Sequence, residues 1–126
     1  MALNQEKIEI LKCTLRTMAA RYNQSTYGLQ NAVCGTEQCM AGFCHLRDVG
    51  EEQFLKDIRD DSIASKALMS GIKNLGIENA TPQIFASAAS WPPDLAARYG
   101  KSRNRKEQAE VACEALDRMR PDGSIR

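Results

Sequence analysis

The chain is expected to be all-α: a compact single-domain bundle of about six or seven short helices packed around a buried, cysteine-rich one. Three observations lead there. Apolar residues recur at three- and four-residue spacing in several stretches, and no segment alternates with period two over the length of a strand. The 126 residues are 43% apolar and 26% charged, which is enough for one core and far from a disordered composition. Residues 1–120 are read as one domain and 121–126 as a short tail.

The first helix is predicted over residues 4–22, where Ile8, Leu11, Leu15, Met18 and Tyr22 form one face. Asn4 suits the N-cap and Glu6 the positive end of the helix dipole. Residues 23–35 read as a polar loop held to the core by Tyr27, Leu29 and Val33. Thr36 has the profile of the next N-cap, and the helix from about Gln38 to Arg47 is apolar nearly all round, as a buried helix is. Ala41 and Gly42 would let another backbone approach closely. Gly50 ends this helix, and a short one follows over 51–60 with Phe54, Leu55 and Ile58 inward. Ala64, Leu68, Ile72 and Leu75 recur at helical spacing up to Gly76, a suitable C-terminal stop. Pro82 begins a helix reaching Ala89, Pro92-Pro93 forces a turn into one or two helical turns, and the last helix covers 104–120.

Three of the five cysteines and the single histidine fall between Cys34 and His45. Cys39, three residues after Thr36, would sit where backbone N–H groups and the dipole favour a thiolate, and Cys34 could approach it across the turn. The apolar neighbours Met40, Ala41 and Phe43 argue the other way, since burial makes a thiol inert. A metal site is not expected. Cys39 and Cys44 diverge by about 140° around a helix, and Cys44 and His45 by about 100°. One histidine on a different helix face from Cys39 makes a Cys–His dyad a poor reading. Asp57, Asp60 and Asp61 read as a solvated face and a cap.

The net charge of +1 supplies no global field for nucleic acid. Arg98, Lys101, Arg103, Arg105 and Lys106 form the one local basic stretch that could grip phosphates. No signal peptide or membrane span is read, because charged residues interrupt every apolar run. A cytoplasmic location with reduced thiols is therefore expected.

Cys34-Gly35-Thr36-x-x-Cys39-x-Ala41-Gly42, followed by Phe43, resembles the C-G-T-x-x-C-x-A-G signature of small bacterial and phage proteins of unknown function. Trp91-Pro92, Arg98-Tyr99 and the Ala-rich helix from Ala109 to Leu116 are similar to a second, looser block of those proteins. The resemblance implies that Cys34, Gly35, Thr36, Cys39 and Gly42 act as one structural unit, with Trp91 part of what the helix packs against. It implies no catalytic residue and no cofactor.

The functional expectation is a small interaction or regulatory protein that binds another protein, or a second copy of itself. Two alternatives stand beside it: a thiol-dependent enzyme or redox sensor using Cys39 with Cys34, and a nucleic-acid accessory protein acting through residues 98–106.

Overall fold

The computed structural model describes residues 3–31 and 35–126. Helix α1, Gln5–Thr17, starts where Asn4 accepts the Lys7 N–H at 3.0 Å, and it buries Ile8, Leu11 and Leu15 along the expected face. Its stripe packs against α2 (Met40–Arg59), α3 (Ile63–Leu75) and α5 (Arg105–Asp117). Helix α4, Pro93–Lys101, packs on α5. The described residues thus hold five α-helices and three 3-10 turns, fewer α-helices than the six or seven expected.

Helix α2 is where the expectations hold best and fail most instructively. Residues Met40 to His45 are all buried, as the absence of a polar face requires. Gly50 breaks the helix at φ 85°, ψ 166°, a conformation open essentially to glycine alone, and a second helical segment follows at once. The N-cap, however, is Cys39 and not Thr36. Only Cys44 of the cysteine cluster lies within the helix, so "cysteine-rich" overstates it; Cys34 lies outside the described residues.

Residues 35–37 form strand β2, antiparallel to β1 at Leu29–Asn31, with Leu29 opposite Glu37 and Asn31 opposite Gly35. No sheet was expected, because three residues are too few for a period-two pattern to show. Gly35 accordingly sits in a strand. Leu29 is 49% exposed and does not pin the loop to the core.

The segment after Pro82 forms two 3-10 turns, Gln83–Phe85 and Ala88–Ser90, where one α-helix was expected. The reason lies in its hydrogen bonds. Gln24 Nε2 donates to the carbonyls of Ile84 and Ala86, Gln83 Nε2 donates to that of Ser90, and the Ile84 N–H donates to the Gly123 carbonyl. With those groups engaged elsewhere, the i→i+4 ladder cannot form. Residues 121–126 fold back onto the body: Ile125 is 5% exposed, and its N–H donates to Gln83 Oε1 at 2.9 Å.

Among the described residues no helix is long and apolar enough to cross a membrane.

Candidate functional site

The approach to α2 is built from buried residues. Thr36, Gln38 and Cys39 are each 2% exposed or less. Thr36 Oγ1 donates to Gln38 Oε1 at 2.8 Å, and Arg21 holds this unit from outside. The Arg21 guanidinium donates to the Thr36 carbonyl at 3.0 Å, to Thr36 Oγ1 at 2.6 Å and to Glu51 at 2.7 Å. Thr36 therefore anchors an arginine across the strand and makes no helix cap.

Gly42 explains why the motif needs glycine. A Cβ there would stand 2.2 Å from the Tyr27 carbonyl oxygen and 2.5 Å from Gln38 Cβ. The close approach is to the loop backbone, where the Trp91 segment had been expected. Trp91 instead lies edge-on to Tyr99 at 5.6 Å, and Tyr99 edge-on to Tyr22 at 6.2 Å.

Cys39 borders a cleft of about 210 Å³ lined by residues including Thr26, Tyr27, Phe85 and Ser87. Burial pushes its thiol up to about 11, against the opposing pull of the Gly42 and Ala41 N–H groups. Burial likewise raises Cys44 to about 12 and Cys113 to about 11. Ionised sulfur is disfavoured at all three positions near neutral pH, which weighs against a reactive Cys39. A chromogenic disulfide at neutral pH is accordingly expected to modify Cys13, which is exposed, while Cys39, Cys44 and Cys113 react only in denaturant. Mass mapping checks this; native labelling of Cys39 at the rate of a free thiol would refute it.

The structure adds a polar cluster that the sequence reading missed. His45, 5% exposed, meets Asp57 Oδ2 through Nε2 at 2.7 Å and Ser70 Oγ through Nδ1 at 2.9 Å. Asp57 Oδ1 accepts from Gln53 at 2.9 Å and from Lys66 at 2.9 Å. Asp57 was expected on a solvated face with Asp60 and Asp61, yet it is 1% exposed. The available signal was the lone histidine, but no spacing rule linked it to a carboxylate twelve residues on. Burial would raise the Asp57 pKa, and the donors Lys66, His45 and Gln53 outweigh it, bringing it down to about 2. Ser70, His45 and Asp57 follow one another like a nucleophile, base and orienting acid. Gln53, which donates to Asp57, lines a cleft of about 470 Å³ with Glu52, Lys56 and Arg59, but the set itself lines neither cleft between α1 and α2. Its contacts join the two halves of α2 to α3. Among the described residues no three metal-ligating side chains converge.

The basic stretch is brought together with acidic residues. Arg98 pairs with Glu114, Arg103 with Glu107 at 3.2 Å, and Arg105 with Glu37 at 2.8 Å while also donating to the Tyr22 carbonyl. Lys101 shares a cleft of about 350 Å³ with Glu107 and Glu110. Three of the five cations thus already hold carboxylates, which lowers the local potential a phosphate would meet.

A groove between α1 and α2 has a different character. Met18, Phe43 and Leu46 supply an apolar floor to a cleft of about 400 Å³, and Arg21, Arg47 and Glu51 stand at its edge. It adjoins a narrower depression at Leu11 and Lys7, with Thr14, Phe43 and Arg47 common to both.

No family model, no curated protein and no solved structure matches this chain.

Proposed function

We propose that this chain is a small cytoplasmic interaction protein that acts by binding another protein, without catalysis of its own. The observation that carries the reading is the apolar-floored groove between α1 and α2, set beside polar groups that are engaged inside the fold. The thiol alternative is less favoured because Cys39 is buried and its ionisation opposed. The nucleic-acid alternative is less favoured because Arg98, Arg103 and Arg105 are ion-paired. A cytoplasmic setting agrees with Cys13, Cys39, Cys44 and Cys113 all being free thiols.

The test is photo-crosslinking from a benzophenone side chain introduced at position 47 or at position 101, in cells that naturally make the protein. Discrete protein adducts, identified by mass spectrometry, are the expected result. Adducts to nucleic acid from position 101, or none of defined mass from either position, would overturn the reading.

A further inference from the structure

We propose that the groove between α1 and α2 is the docking site for an acidic amphipathic helix of a partner protein. This rests on the protein-binding reading and specifies its surface and its ligand.

The shape comes first. On α1 the cleft is lined at Thr14, with Met18 just past the helix end, and a depression of about 10 Å³ at Lys7 and Leu11 continues the same face of that helix. From Lys7 to Met18 this face runs roughly 16 Å, at 1.5 Å of rise per residue. That is about three helical turns. The apolar floor is uneven: Phe43 is 2% and the adjoining Leu11 4% exposed, while Met18 and Leu46 are partly buried. The apolar stripe of an incoming helix would meet Met18, Phe43 and Leu46 at one end, with Lys7 toward the other.

The walls select a helix over a strand. Both are α-helical, so their backbone N–H and C=O groups are used along α1 and α2, and no strand edge is offered for pairing. The ligand must bring its own satisfied backbone and bind through side chains.

Charge selects the sign. Arg21 at the far end is already committed to Glu51 and Thr36. Arg47 lines the cleft and Lys7 the depression beside it, and neither has a carboxylate partner among the described residues. The groove therefore carries unspent positive charge beside apolar surface, complementary to glutamates or aspartates flanking a leucine stripe.

The probe is a synthetic amphipathic peptide with leucines at three- and four-residue spacing and glutamates on one flank, titrated calorimetrically. Its counterpart has every glutamate replaced by lysine. Saturable binding by the acidic peptide alone is expected, and it should weaken as salt is raised. The double substitution Lys7→Glu with Arg47→Glu should weaken binding about tenfold or more. That variant should keep the wild-type circular dichroism, since neither side chain holds an ion pair among the described residues. Leu46→Asp should weaken both the acidic peptide and any uncharged version of it. Equal binding of the two peptides, an unaffected double variant, or no saturable binding would each overturn the proposal. A protein adduct from position 101 with no peptide binding in the groove would remove this inference and leave the wider reading standing.

Discussion

Replacing Asp57 with alanine is expected to lower the unfolding free energy by about 3 kcal/mol, among the largest effects available from a single side chain. The carboxylate is 1% exposed and accepts from His45, Gln53 and Lys66, so its loss strips three donors of their acceptor. Lys66 can turn outward to water, its side chain being 47% exposed, but His45 cannot. Asp57→Asn should cost less, about 1–2 kcal/mol, because an amide N–H can donate to His45 Nε2 once the imidazole takes its other tautomer and donates to Ser70. Urea unfolding followed by circular dichroism measures both. The pH dependence follows from the lowered pKa. A carboxyl that titrates at about 2 when folded and near 3.8 when unfolded stabilises the fold above pH 3.8. That stabilisation drains away as pH falls toward 2. In Asp57→Asn the acid-side loss should be shallower. It should not vanish, because Arg118 holds Asp94 low and Arg103 holds Glu107 low. An unchanged acid slope would show that the Asp57 carboxyl titrates in the fold as it does in the unfolded chain.

Gly42→Ala should be as damaging, by about 3 kcal/mol. The added carbon meets the Tyr27 carbonyl oxygen at 2.2 Å, and a backbone atom cannot swing aside as a flexible side chain can. Relief requires moving either the α2 helix start or the loop that delivers Thr26, whose carbonyl accepts the Cys39 N–H at 2.7 Å. Gly100→Ala is the control. A Cβ there meets nothing within 4 Å, so alanine in α4 should be neutral or stabilise by up to about 1 kcal/mol. Equal unfolding midpoints for the two variants would show that the loop yields and that the motif does not depend on glycine.

The resemblance to the C-G-T-x-x-C-x-A-G signature singled out Gly42, and the reading of Ala41-Gly42 as a place of close approach agrees with the contact found. What meets it could not be read. Tyr27 lies fifteen residues earlier, in a loop whose path is set by β1 and β2, each only three residues long. The His45–Asp57 contact was hidden for a related reason. Along an unbroken helix twelve residues span roughly 18 Å, which is no hydrogen bond. The break at Gly50 brings the two side chains to 2.7 Å. Cys39 shows the opposite bias. Its helix-start position suggested an activated thiol, and burial, which depends on every neighbouring element, drives its pKa the other way.

The sequence by itself determined the helical class, the face of α1, the buried start of α2 and the stop at Gly50. These are properties of periodicity and of single backbone angles, which act over one or two turns. Only the tertiary structure decided that residues 83–90 would give up an α-helix for distant hydrogen bonds, that Asp57 would be buried, and that the 98–106 arginines would be spent on carboxylates. It also decided that α1 and α2 would leave an apolar groove beside Arg47. Each of these depends on which groups meet across the core, and local spacing carries no record of those meetings.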